Sequence, residues 1–277
     1  FIPYYKYNYV KYLEENDSLI DSRGEFPLSL FKKLNYEGNI YVESTRYNSY
    51  FSFLSFTNNK SKVYFVKAEN KFILEELFDR LYNHYDEELT FYKYLLFGRA
   101  VANFLLSKFD LSSIDYLDME EAFSVFVGFE LYNRGIKVKK MRFIIHTPGI
   151  WGHPSFKREL FKREFNFDFI NERVFLSDIG CAISDEILTV SKKHYKITVN
   201  MFPQFKHKIR HVTNGIDVKR WMDNRLYELY KNKTLDVNNF NQIKQDNRRK
   251  LIQFLSKYKK VKEDSMILCW SRRTVTY

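Results

Sequence analysis

The segment His146–Phe156, HTPGIWGHPSF, packs two histidines, two prolines and two glycines directly behind the apolar run Met141–Ile145, MRFII. The run has strand chemistry, so His146 stands where a strand ends and a loop begins. An imidazole held there can hydrogen-bond a polar ligand beside a reacting carbon, or move a proton; the bland alternative is a histidine that caps the loop. Pro148, Gly149 and Gly152 shape that loop, and His153 reads as a cap for the next helix. A metal site is not indicated: the two histidines are separated by a Pro/Gly loop, and no HExxH-like pattern accompanies them. His194, His207 and His211 stand among lysines and arginines and read as solvated.

Further candidates follow other apolar runs. Asp118 sits at the tip of SIDYLDM and reads as a ligand contact. Glu120 and Glu121 read as the first turn of a helix, where acids suit the helix dipole. Ser191, in TVSKKH, lacks nucleophile-elbow glycines and reads as an N-cap. TNGID places Asn214 and Gly215 at a tight turn, where glycine permits close approach of backbone to ligand. Arg272 and Arg273 offer planar donors suited to phosphate.

The elements that must position these residues change character along the chain. Up to about residue 80 the sequence is rich in short β-like runs: NIYVE, YFSFLSF and KVYFVKA, with TNNKSK reading as a hairpin turn between the last two. DEELTFYKYLLFGRAVANFLLSKF then opens with acids and is apolar nearly all round, which predicts a buried helix. From Ser113 strands and helices alternate. SIDYLDM, MRFIIH, EILTVS, KIRHVT and SMILCWS read as strands. EEAFSVFVGFELYNRG reads as a helix capped by Gly135, PSFKRELFKREF as one with Phe156, Leu160, Phe161 and Phe165 on one face, and NRRKLIQFLSKY as a third. NNFNQIKQDN is the most linker-like segment. The alternation predicts an α/β fold with a Rossmann-like, doubly wound parallel sheet, in which ligands bind beyond the carboxyl ends of the strands. DMEE, HTPGIWGH, VS, TNGID and SRR all fall there.

Composition sets the outer bounds. The chain has 277 residues, 45% hydrophobic and 29% charged, which is ordinary globular chemistry. The net charge of +11 favours phosphorylated ligands, polyanions or acidic surfaces. Cys181 and Cys269 are the two cysteines and have no metal spacing, so a reducing, cytoplasmic setting is expected. No apolar run is long enough to span a bilayer. Phe1 opens FIPYY, which reads as the end of a strand, and SRRTVTY follows another apparent strand; part of a longer protein is expected.

In order, these motifs resemble the N-terminal half of a GT-B glucosyltransferase of the glycogen/starch synthase and α-glucan phosphorylase group. FIPYY resembles a synthase second strand with its PxY element. VYFVKAENKF and LTFYKYLLFGRAVANFL are similar to YFLxNxxYF and RFxxFxRAAxxxL. YLDMEEAF stands where synthases carry HxHDWHTA and phosphorylases LNEGHAAF. HTPGIWGHPSF resembles the phosphorylase HTPxxxGHxxF, against HNxxxQGxF in synthases. ILTVSKKHYKI and VTNGIDVKRW resemble VxTVSxxYAxEI and xxNGIDxxxW, and SRRTVTY resembles the start of SRLxxQKG or RRxxxYKR.

The resemblance implies that residues 1–277 are one incomplete acceptor-side GT-B domain, whose missing C-terminal partner carries the nucleotide or pyridoxal-phosphate site. It implies retaining α-1,4-glucosyl transfer in a cleft between the two. His146 matches the histidine that contacts the donor glucose near its anomeric centre. Arg273 matches the arginine that holds donor phosphate, and Asp118 matches a cleft aspartate in synthases. Tyr116 and Met119 replace the usual histidine and tryptophan. The HTPGIWGH loop favours a phosphorylase, which would need pyridoxal phosphate (PLP) on a lysine this chain lacks. The N-terminal run and the short gap from TNGID to SRR favour a synthase, the reading taken here. A synthase needs no cofactor beyond its donor, ADP-glucose or UDP-glucose, and an α-glucan acceptor. A basic nucleic-acid-binding module is the alternative from another class; it has the charge in its favour but no recognisable RNA or DNA motif.

Overall fold

The computed structural model describes residues 1–13, 19–25, 33–79 and 86–268. They form two compact units, Phe1–Thr213 and Asn214–Tyr277.

The first unit opens with strands β1 (Ile2–Pro3), β2 (Tyr7–Leu13), β3 (Leu19–Glu25), β4 (Asn35–Glu43), β5 (Asn48–Asn58) and β6 (Ser61–Ala68). β4, β5 and β6 make an antiparallel meander, and β1 joins it parallel to β6; β2 and β3 form a separate hairpin. The expected β5–β6 turn is present. Asn59 takes a left-handed φ of 55° there, a conformation asparagine tolerates well. β5 alternates faces, so Phe51 and Phe53 both enter the core.

Helix α1 (Lys71–Glu76) leads to α2 (Glu87–Lys108), the buried helix foreseen from its pattern. Asp86 caps it, accepting the N–H groups of Glu88 and Leu89. With Phe91, Leu95, Ala100 and Phe104 all buried, α2 is covered on several faces. Phe104 stacks on Phe53 at 3.8 Å between ring centroids, tying helix to sheet.

Strands and helices then alternate: β7 (Leu117–Glu120), α3 (Val125–Asn133), β8 (Met141–Ile145), β9 (Ser155–Lys157), α4 (Arg158–Phe165), β10 (Arg173–Phe175), α5 (Leu176–Ile183), β11 (Glu186–Thr189), α6 (Lys192–Met201) and β12 (Ile209–His211). β7, β8, β11 and β12 form a wholly parallel sheet in the order β12-β11-β8-β7, the Rossmann-like arrangement the alternation predicts. Gly135, with φ 69°, closes α3 as expected: Ile136 N–H reaches Leu131 O and Gly135 N–H reaches Tyr132 O. One helix starts later than its pattern suggests. Ser155–Lys157 pair with β10 instead, burying Phe156 opposite Val174, so α4 begins at Arg158.

Arg99 of α2 ties three neighbouring elements, α3, α4 and β4, together. Its guanidinium meets Glu130 of α3 at 2.6 Å and Glu164 of α4 at 2.8 Å, and donates to the Glu43 carbonyl at 2.9 Å. Arg134 closes the network on Glu130 at 2.8 Å. Both carboxylates are buried, so each needs its arginine.

The second unit contains α7 (Val218–Trp221), α8 (Asn224–Lys231) and α9 (Val237–Leu255). The linker-like NNFNQIKQDN run is the first half of α9. Asp236 and Asn239 exchange side-chain-to-backbone bonds in a capping box, which offsets the weak propensity of the asparagines. Ile243 and Ile252 lie on its buried side. The strand expected at SMILCWS is not formed over residues 265–268, where Met266 and Leu268 are exposed and no strand among the described residues pairs with them. Cys269, Arg272 and Arg273 lie outside the described residues.

Candidate functional site

Parallel strands put their carboxyl ends on one rim, and β7, β8 and β11 supply the groups there. Glu120 is the last residue of β7 and pairs with Ile144; His146 follows the end of β8. This register sets the two side chains beside each other, with His146 Nε2 2.5 Å from Glu120 Oε2. Both are open to solvent, at 40% and 59% side-chain exposure, so a ligand can reach the pair.

Glu121 does not begin a helix. It takes a left-handed φ of 61°, and its N–H bonds Ile144 O at 2.9 Å. That turn carries its carboxylate back over the end of β8, where it accepts the His146 N–H at 2.8 Å and the Thr147 hydroxyl at 3.0 Å. Burial pushes the Glu121 carboxyl above its ordinary range, while the Thr147 and His146 bonds pull against that rise. The pair of acids thus divides: Glu120 meets the imidazole, and Glu121 clamps the backbone that carries it. The sequence carries one signal for this, since Ser124, whose hydroxyl donates to the carbonyls of Glu120 and Glu121, stands next to the true start of α3.

The loop after His146 is folded tightly. A Cβ on Gly149 would overlap the Trp151 indole, and one on Gly152 would overlap the Thr147 side chain. His153 is buried and does not cap the next helix. Its Nδ1 lies 2.6 Å from Ser177 Oγ, and its ring packs edge-on against Phe202. Burial pushes its pKa down.

His194 also departs from the solvated reading. It lies on the first turn of α6, 4% exposed, and neither ring nitrogen has a hydrogen-bond partner among the described residues. Thr189 pairs with Ile145, so α6 starts beside the His146 loop. Burial, and then the charge of His146, push the pKa of His194 down. Ser191 is the expected N-cap, accepting the His194 N–H at 3.1 Å. His207 and His211 are exposed.

Asp118 lies before the end of β7, and both its oxygens are bonded at 2.6 Å by Arg142, which faces it from β8. Arg142 in turn sits 4.2 Å over the Tyr116 ring. Asn214 and Gly215 belong to the second unit, in an exposed segment without a hydrogen-bonded turn; a Cβ on Gly215 would meet nothing within 4 Å. Among the described residues, no group of three or more His, Cys, Asp or Glu could hold a metal ion. No helix among them is long and apolar enough to cross a membrane.

No family model matches the sequence, and no curated protein does. Among solved structures, the catalytic domain of starch synthase IV from Arabidopsis thaliana, bound to ADP and acarbose, matches with a TM-score of 0.59 at 16% identity. The match covers 80% of this chain and 48% of that one. This chain has a GT-B, starch synthase-like fold. It spans about half the length of the structure it matches. The His146–Glu120 pair therefore stands on the carboxyl-end rim of the parallel sheet in a GT-B half, the part of an open α/β sheet where ligands bind.

Proposed function

We propose that this chain is the acceptor-side half of a retaining α-1,4-glucosyltransferase of the glycogen/starch synthase kind. It would transfer glucose from ADP-glucose or UDP-glucose to an α-glucan. The observation that carries the reading is an exposed His146–Glu120 pair at the sheet rim of a GT-B half.

The residues suit that chemistry. With Glu120 against Nε2 of His146, Nδ1 is the ring atom left for a hydroxyl of the glucosyl unit. A bond to that hydroxyl that strengthens as positive charge grows at the anomeric carbon lowers the barrier. Glu121, holding the His146 N–H and the Thr147 hydroxyl, keeps the imidazole at a fixed position on the strand end. Arg272 and Arg273 have the planar donors that suit donor phosphate, and Asn214 and Gly215 are retained as candidate ligand contacts. The opposite wall of the cleft and the nucleotide site belong to a second GT-B domain, a partner this reading requires.

The test is transfer by the intact protein, with labelled ADP-glucose or UDP-glucose and maltoheptaose. Chain extension through α-1,4 bonds, removable by an α-1,4-specific glucan hydrolase, is the expected result. Glucose-1-phosphate release from the glucan by orthophosphate, with no transfer from either sugar nucleotide, would assign a phosphorylase instead; HTPGIWGH is the sequence feature that favours that second reading.

A further inference from the structure

A second cleft lies in the first unit, away from the His146 rim. β7 and β8 run parallel, so α3, which connects them, runs back along the sheet and carries Asn133 toward the amino ends of the strands. There the last turns of α3 and α4 meet β4 and the second half of α2 around a cleft of about 640 Å³. Ligand sites span roughly 300–1,000 Å³. Its floor is the Arg99 network, in which Arg99 meets Glu130 and Glu164, and Arg134 meets Glu130. The walls are of another kind. The side chains of Glu43, Asn133 and Asn166 line them and have no hydrogen-bond partner among the described residues. Two amides and a carboxylate offer both donors and acceptors. Tyr41 adds an aromatic side, 48% exposed, with the cross-strand Tyr50 ring set against it at 5.1 Å.

Charge is matched inside the cleft. Arg99, Arg134 and Arg163 stand against Glu43, Glu130 and Glu164, and each guanidinium meets a carboxylate, Arg163 that of Glu88 at 2.8 Å. A phosphate would have to compete with those carboxylates, whereas a neutral ligand displaces none. We propose that this cleft is a second carbohydrate-binding site, taking a neutral pyranose unit of a glucan chain. A pyranose has hydroxyls for the two amides and the Glu43 carboxylate, and a C–H face for Tyr41. The neutral, hydroxyl-rich class follows from the cleft; the choice of a glucan rests on the glucosyltransferase reading. A long chain held both here and at the rim is bound at two points, which raises its effective concentration at His146.

Electrophoresis of the intact protein through gels containing soluble amylose tests it, beside transfer kinetics with maltotriose as a short acceptor. Amylose should retard the wild type, and His146→Ala should remain retarded. Tyr41→Ala should weaken the apparent affinity for amylose about tenfold, with the melting temperature, the donor KM and transfer to maltotriose unchanged. Asn133→Ala should shift retention in the same direction. Equal retention of Tyr41→Ala, Asn133→Ala and wild type, or no retention of the wild type, would overturn the second site and leave glucosyl transfer standing. Loss of retention in His146→Ala alone would assign all glucan binding to the rim and overturn it as well. Retention that depends on Tyr41, without transfer from either sugar nucleotide, would keep the carbohydrate site and sink the proposed function.

Discussion

His146 and His153 share one loop and have opposite surroundings. The first is open and faces a carboxylate; the second is buried against Ser177 and Phe202. His153→Ala should therefore act on stability. It strands the buried Ser177 hydroxyl and leaves a ring-sized gap, together costing roughly 2–3 kcal/mol in urea unfolding; an unchanged midpoint would contradict the buried bond. Acid should also act through the buried rings. His153 and His194 both have pKa values held below the ordinary 6.5. Below that pH the unfolded chain takes up protons that the folded chain refuses, so stability falls as pH drops from about 6.5 toward the folded values. Glu121 and Asp178, whose carboxyls burial pushes up, act in the opposite sense at lower pH. Melting temperatures from pH 7.5 to 5.5 should fall less steeply in a His153→Gln/His194→Gln variant than in wild type; parallel curves would contradict neutral buried imidazoles. His146 was legible in the sequence because an apolar strand runs straight into it. His194 was not, since three neighbouring lysines suggest a solvated face. On α6, Lys192, Lys193 and Lys196 point outward while His194 and Thr198, four apart, share the buried side. The Glu121 clamp depends on which strand lies beside β7, information a single stretch of sequence lacks.

At the scale of elements, patterns of burial were readable and those set by long-range pairing were not. The apolar circumference of α2 announced a buried helix, and Gly135 announced the end of α3. The PSFK stretch has helical spacing, yet its backbone pairs with β10, and only the fold supplies that partner. α9 shows the reverse error: asparagines suggested a linker, and a capping box made them a helix. The join among α2, α3 and α4 rests on Arg99. Removing it takes the shared cation from two buried carboxylates and leaves Glu130 with Arg134 and Glu164 with the Thr45 N–H and hydroxyl, so Arg99→Leu should cost about 3 kcal/mol, more than its contact area alone would suggest. Chemical denaturation checks this, and a loss below about 1 kcal/mol would show that the carboxylates find other partners or water.

Among the described residues, the first unit holds a four-stranded sheet of the β4–β6 meander with β1, and a four-stranded parallel sheet; the second unit is helical. The parallel sheet was predictable from alternation alone; the meander's three strands were visible as β-like runs, but only the β5–β6 pairing was marked by its turn. Charge building at an anomeric carbon and on departing phosphate needs groups from both walls of a cleft. The 277-residue chain alone should thus show weak or no transfer from ADP-glucose or UDP-glucose to maltoheptaose; robust turnover would show that no second domain is needed. The central claim is that His146 contacts the sugar at the reacting centre. Its most direct test is kcat of the intact protein for glucosyl transfer, wild type against His146→Ala, with folding checked by circular dichroism. A fall of about a hundredfold or more, the scale of losing one well-placed transition-state hydrogen bond, is the predicted result. Equal turnover by the folded His146→Ala variant would contradict it.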